Sequence, residues 1–340
     1  MSRLMYIVRY RLTKRNDMNI KAFASASVIA FWMPSLLLAG SGPRYKISND
    51  IGSGFYDLHK AGNFKPSEYG LTVVNDIVRV GNKALRFEVR HGDCGKGTGG
   101  WSDCREDRER RELNSGDGRS SRDYMKGEHW IAWSMYFPGS HQNLFPLSIT
   151  YGQFKENDHR GDIYQPVFQT KETARGYSII RTISACGVEG CVHEEELLIP
   201  KEDMVGKWHD ILVHMKWSKK DDGFFKMFVN DELKYNYKGR TQSKYRAVMY
   251  QFGIYRTGIT RYLNYKNVDN IWSCFQEKGY TVEENTALYR LERRKQIRLK
   301  ESMNLYKKCK EFYDPEIVVP TTIVYYDEVR KGKTKDAVTK

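Results

Sequence analysis

Apolar and polar residues alternate with a period of two along most of this chain, and that pattern constrains the fold more than any other feature. Successive side chains on a strand point to opposite faces, so the pattern describes sheets with one apolar face to bury. In Ala84 to Arg90, Leu85, Phe87 and Val89 face one way while Arg86, Glu88 and Arg90 face the other. Ile131, Trp133, Met135 and Phe137 repeat the pattern, and so do Ile211, Val213, Met215 and Trp217. Lys220-Asp221-Asp222-Gly223 reads as a hairpin turn, Phe224 to Val229 as the strand after it, and Thr321 to Arg330 as the last strand. About ten such strands separated by turns predict an all-β chain of two antiparallel sheets packed as a sandwich. A curved polar face on such a sheet is the natural bed for a chain-like ligand.

Residues 265–318 interrupt the alternation, and Glu284 to Lys310 reads as a Lys- and Arg-rich helix. The expected organisation is therefore one sandwich over residues 45–340 with a basic helical insertion at about 265–318. Residues 1–44 read as an address. Lys14, Arg15 and Lys21 precede Ala22 to Ala39, which carries no charge, and Gly40-Ser41-Gly42 follows. Those are the basic, apolar and small-residue parts of an export signal, or of an N-terminal membrane anchor if the segment is not cleaved. The expected location is secreted or periplasmic.

The formal charge of +14 does not by itself point to a polyanion. The first 44 residues, residues 286–310 and the tail from Arg330 are each strongly basic, and the rest of the body is slightly acidic. Any cationic site in the body has to be local. Six cysteines fit an oxidising compartment: Cys94 with Cys104 and Cys186 with Cys191 are spaced as short disulfides, leaving Cys274 and Cys309 as a third pair. Cys186, Cys191 and His193 lack a nearby fourth ligand for a tetrahedral metal site.

Four stretches carry groups suited to chemistry. In Arg110-Arg111-Glu112-Leu113-Asn114, the residues Arg110, Glu112 and Asn114 share a face. In Gln153-Phe154-Lys155, Gln153 and Lys155 do. In Gln251 to Arg256, Gln251 and Tyr255 do, with Gly253 leaving a gap between them. The fourth, Arg90-His91-Gly92-Asp93, runs from a strand into a turn.

Taken in order, these stretches resemble the polysaccharide lyases of the glucuronan lyase and heparin lyase I type. The likeness also takes in Ala84 to Arg90, Trp130 to Pro138, Lys207-Trp208-His209-Asp210 and Val324 to Arg330, and runs from about Gly52 to Gly332 apart from the insertion. It implies a concanavalin A-like β-jelly roll and β-elimination on an anionic, uronate-containing polysaccharide. It further implies catalytic roles for Tyr255, His91, Gln153 and Arg110, and substrate contacts from Gln251, Lys155, Glu112, Arg86 and Asn114. A structural Ca2+ occurs in some such enzymes, with Asp327 as the candidate ligand here. Two positions depart from the pattern: Gln251 stands where related lyases usually carry Lys, and Lys155 where they often carry His.

The residue types suit the reaction. The C5 proton of a uronate leaves only when the adjacent carboxylate is neutralised, and Gln153, Gln251 or Arg110 can stabilise the developing enolate. Tyr255 and His91 divide the roles of acid and base. A glycoside hydrolase on the same sandwich is the rival enzyme, but no Glu-x-Asp-x-x-Glu run is present. A non-catalytic carbohydrate-binding protein needs only the aromatic and polar face. A nucleic-acid binder would rest on Arg293-Arg294-Lys295 alone, without interleaved aromatics, and is not expected.

Overall fold

The structure is a computed structural model. It describes residues 56–57, 67–95, 102–114, 125–157, 163–182, 193–242, 247–279, 281–294 and 297–339. The N-terminal segment 1–44 and the pair Cys186 and Cys191 lie outside the described residues.

Among the described residues fourteen strands are formed: β1 Tyr56–Asp57, β2 Leu71–Val74, β3 Ala84–Val89, β4 Arg108–Asn114, β5 Gly127–Tyr136, β6 Ser148–Asn157, β7 Ile163–Thr173, β8 Gly176–Thr182, β9 His193–Pro200, β10 Trp208–Trp217, β11 Phe224–Val229, β12 Glu232–Lys238, β13 Ala247–Thr257 and β14 Thr322–Gly332. They make two seven-stranded sheets with the orders β1-β4-β13-β6-β7-β8-β9 and β12-β11-β10-β5-β14-β3-β2. All the neighbouring strands pair antiparallel. The two-sheet sandwich expected from the alternation, with the jelly roll that the resemblance implies, is what the chain forms.

The core lies between the sheets and is heavily aromatic. Phe87, Trp133, Phe225 and Tyr326 from the second sheet meet Tyr151, Phe154, Phe168, Tyr177, Tyr250 and Phe252 from the first, all of them buried. Phe168 stacks on Phe225 with ring centroids 4.0 Å apart, and Phe87 meets Phe252 edge-on at 5.8 Å. One core tyrosine also supports the first sheet from below. The hydroxyl of Tyr326 lies 2.7 Å from the Tyr151 carbonyl and 3.2 Å from that of Gly253. Both carbonyls border register shifts, between Phe252 and Tyr255 on β13 and between Thr150 and Gly152 on β6.

A second link between the sheets runs through hydrogen bonds of a buried arginine. The Arg256 guanidinium is fully buried beside Glu109, and its Nη1 donates to the Pro320 carbonyl at 2.6 Å and to Thr322 Oγ1 at 3.2 Å. Strand β13 is thereby fastened to the start of β14.

Between those two strands the chain is helical. Helices α2 Ile259–Lys266, α3 Val268–Lys278, α4 Val282–Arg294 and α5 Leu299–Cys309 follow β13, with short α1 Lys201–Met204 and α6 Asp336–Thr339 elsewhere. The single helix expected over 284–310 is two helices. Thr281 and Glu284 cap the start of α4 reciprocally, and Glu301 accepts the Arg298 amide at 3.2 Å where α5 begins. Leu288, Leu291 and Leu305 then share one apolar cluster with Ile271 and Phe275. A chain that turns between two helices cannot show one continuous apolar stripe. The disulfide Cys274–Cys309 ties α3 to α5, and Cys94–Cys104 closes the loop before β4. Among the described residues no helix is long and apolar enough to cross a membrane.

Candidate active site

The outward face of the first sheet collects the polar residues of three adjacent strands. On β4 the even positions Arg108, Arg110, Glu112 and Asn114 point away from the core, which Leu113 enters. On β13, Gln251 stands opposite Asn114, Gly253 opposite Glu112 and Tyr255 opposite Arg110. On β6, Gln153 stands opposite Gln251, and Thr150 opposite Tyr255. Directly opposed residues share a face, so Arg110, Glu112, Asn114, Gln251, Tyr255, Gln153 and Lys155 are gathered on one surface.

Two layers can be distinguished by exposure. Glu112, Asn114, Gln153 and Gln251 are buried and form a floor. Gln153 Nε2 donates to Glu112 Oε1 at 2.6 Å, and Asn114 Nδ2 contacts Met249 Sδ at 3.0 Å. Glu112 Oε2 and Gln251 Oε1 are buried without a hydrogen-bond partner. Tyr255, Lys155 and Arg110 are partly accessible above them, the Arg110 side chain being 15% exposed.

Arg110 is held by Asp103, which accepts from its Nε at 2.7 Å and from Nη2 as a second bond. Asp103 belongs to the loop that the Cys94–Cys104 disulfide closes. The Arg110 guanidinium lies over the Tyr255 ring, 4.7 Å from its centroid, with Arg108 at 5.9 Å.

This packing sets the protonation of each group. Burial pushes the Tyr255 hydroxyl up, outweighing Arg110 and Arg108, so it keeps its proton at neutral pH. Burial, reinforced by the Arg110 charge, pulls Lys155 down to about 8, with Glu112 acting in the opposite sense. Burial raises Glu112 against the opposing influence of Arg110 and the Gln153 hydrogen bond. Arg110, paired with Asp103 and Glu112, stays charged although much of it is withdrawn from water. The face thus offers a protonated phenol and a readily deprotonated amine beside a fixed cation.

Two expected members stand elsewhere. His91 sits in the turn after β3 with Nδ1 3.3 Å from Glu109 Oε1, the carboxylate that pairs with Arg256 on the inward side of β4. Strand β3 stops at Val89, and the Gly92 amide, donating to the same oxygen at 2.6 Å, directs the turn toward Glu109. Arg86 lies on the outer face of the second sheet, paired there with Glu88. Neither residue joins the cluster.

Asp327 does not fit as a calcium ligand. Its Oδ2 accepts the amides of Arg79 at 2.7 Å and Val80 at 3.2 Å, and its Oδ1 accepts that of Glu328 at 2.6 Å. The carboxylate is occupied in shaping the β14 bulge. Among the described residues no three His, Cys, Asp or Glu side chains are grouped to hold a metal ion.

Sequence reasoning also missed residues on this face. Gln169 on β7 faces Gln153, and Lys171 faces Thr150. Their own alternation in Gln169-Thr170-Lys171 was a signal, but only the strand order places them beside the cluster.

The solved structure of an endo-β-1,4-glucuronan lyase from the fungus Trichoderma reesei is similar over 84% of this chain and 96% of its own, at 15% identity and a TM-score of 0.49. A family 7 alginate lyase in complex with substrate is similar over 56% and 72%, at 15% identity and a TM-score of 0.40. An alginate lyase from Pseudomonas aeruginosa is similar over 63% and 88%, at 12% identity and a TM-score of 0.37. Among curated proteins none matches the chain in sequence. The family profile described as polysaccharide lyase matches residues 44–273, more than half of the chain, and the chain belongs to that family.

Proposed function

We propose that the protein cleaves a uronate-containing polysaccharide by β-elimination on the outward face of its first sheet, with Lys155 as base and Tyr255 as acid. The observation that carries this reading is the placement of Tyr255, Lys155 and Arg110 on one face, above a buried floor of amides and a carboxyl group. Arg110 and Arg108 offset the charge of the uronate carboxylate, which makes the C5 proton removable. The neutral Lys155 amine takes that proton. The electron pair left at C5 forms the C4–C5 double bond as the C4–oxygen bond breaks, and Tyr255 gives its proton to the departing glycosidic oxygen. Solvent then removes the proton from Lys155 and restores that of Tyr255.

The raised Tyr255 value keeps its proton in place for donation, and the lowered Lys155 value of about 8 makes the neutral amine the main form at mildly alkaline pH. Gln153, Gln251, Glu112 and Asn114 lie beneath the substrate and hold the reacting groups in place. His91, paired with Glu109, has no step in this scheme. The disulfides Cys94–Cys104 and Cys274–Cys309 support an extracellular or periplasmic location, with residues 1–44 as the export signal.

The test is absorbance at the unsaturated-uronate band during incubation with a panel of polyuronates. A rise on one of them identifies the activity and its substrate together. Release of sugar ends without absorbance means hydrolysis. Binding with neither signal means a carbohydrate-binding protein.

A further inference from the structure

Two cations on this face take no part in the scheme above. Lys171 lies on β7 opposite Thr150, which is itself opposite Tyr255. It therefore sits two strand spacings from Tyr255, roughly 10 Å, on the same face, with the small Thr150 between. Arg261 comes from the helical region. It lies on the first turn of α2, close enough for its charge to act on Lys171.

The start of α2 is fixed to the sheet. Asp107, just before β4, accepts from the Thr260 amide at 2.9 Å and from Thr260 Oγ1 at 2.8 Å, and its carbonyl accepts the Gly258 amide at 3.1 Å. Both oxygens of the carboxylate nearest Arg261 are thus already engaged. Among the described residues neither Lys171 nor Arg261 forms an ion pair, and Arg261 Nε is buried without a hydrogen-bond partner. Burial pulls Lys171 down to about 8, with Arg261 adding to the effect, and burial lowers Arg261 against the pull of Asp107.

Two neighbouring basic groups with too little water, whose nearest carboxylate, Asp107, is already engaged by Thr260, are costly to charge unless an anion arrives from outside. A polyuronate laid across the strands from Tyr255 brings a second carboxylate to this distance, because every sugar in it carries one. We propose that Lys171 and Arg261 form an anion subsite that grips the carboxylate of a sugar neighbouring the one that reacts. This deepens the lyase reading and rests on it. It makes the helical region a contributor to substrate recognition through α2, whereas its basic stretch around Arg293 and Arg294 carries none of the motifs of the reactive face. A charge-assisted hydrogen bond to a carboxylate is among the stronger polar contacts, and its loss reads as roughly tenfold in affinity.

Lys171→Met and Arg261→Met are to be measured on uronate dimers and hexamers of the polymer the enzyme cleaves, with Lys171→Arg as the conservative control. The expected result is a rise in KM of roughly tenfold on hexamers for each Met variant. The rise is smaller on dimers, kcat changes far less than KM, and Lys171→Arg stays near native. Equal effects on dimers and hexamers, or unchanged KM on hexamers, overturn the subsite. Calorimetric titration of glucuronate and mannuronate hexamers into native protein and the same variants separates this from the lyase reading. If no polyuronate yields the unsaturated product, the lyase reading fails. Weaker hexamer binding by the Met variants still supports the subsite, and unchanged binding overturns it.

Discussion

Gln153 donates to Glu112 across 2.6 Å although their strands are not neighbours, because β13 runs between β4 and β6. Gly253, the residue of β13 that stands opposite Glu112, has its open side toward the core and not toward this contact. Glycine is required there for a backbone reason. Its φ is 133°, and a Cβ built on it would lie 2.4 Å from the Arg111 carbonyl and 2.9 Å from the Phe87 ring. Gly253→Ala is expected to destabilise the fold by about 1–3 kcal/mol or more, read by denaturant unfolding. Unchanged stability would show that the bulge relaxes freely.

Tyr255→Phe keeps the ring beneath Arg110 and removes only the hydroxyl. Turnover on the cleaved polyuronate should fall by roughly 10²-fold or more, the scale of a lost general acid, while substrate binding persists. Near-native turnover in this variant removes Tyr255 from the proton transfers.

The pH profile tests Lys155. Its pKa is lowered to about 8, so the ammonium predominates below that value and the neutral amine above it. The base is the neutral form, so kcat/KM should climb as pH rises through about 8 and then level. Lys155→Met and Lys155→Arg should both lose activity by roughly 10²-fold or more, since a guanidinium does not give up its proton. A flat profile with an active Arg variant would falsify the assignment.

Glu109→Gln removes the counter-charge of the buried Arg256 and is expected to cost about 3–5 kcal/mol, measured by denaturant unfolding. The native pair also gives a pH signature. Burial pushes the Glu109 carboxyl up, but His91, Arg256 and the Gly92 amide outweigh it and hold the value below the ordinary one. Stability from this group is therefore present above the unfolded carboxylate range and is lost as pH falls through the lowered folded value. The Gln variant should lose that acid-side dependence.

Where neighbours along the chain decide the outcome, the sequence is easy to read. The strands around Phe87, Trp133 and Met215 follow from alternation, and so does the shared face of Gln251 and Tyr255, whose register is local to one strand. What could not be read is set by strands distant in sequence. Lys171 belongs beside Tyr255 only because β6 separates β7 from β13. His91 is drawn to Glu109 by the turn geometry at Gly92, which alternation cannot represent. Asp327 looks like an exposed acid on a strand until the chain segment bearing Arg79 and Val80 is folded against it.

Each sheet has one of its last-made strands in its middle. β13 lies between β4 and β6, and β14 lies between β5 and β3. During synthesis the earlier strands of both sheets wait with open edges, since β4 and β6 have no partner in each other and neither do β3 and β5. Contacts of such long sequence separation form slowly and leave unpaired edges exposed in the meantime. The polar face that carries Tyr255 and Arg110 is completed when β13 slots between its flanking strands, and the sheet behind it only when β14 does the same. Nascent chains lacking β13 are thus aggregation-prone intermediates without that face, and chains lacking only β14 have the face but still hold the second sheet open behind it.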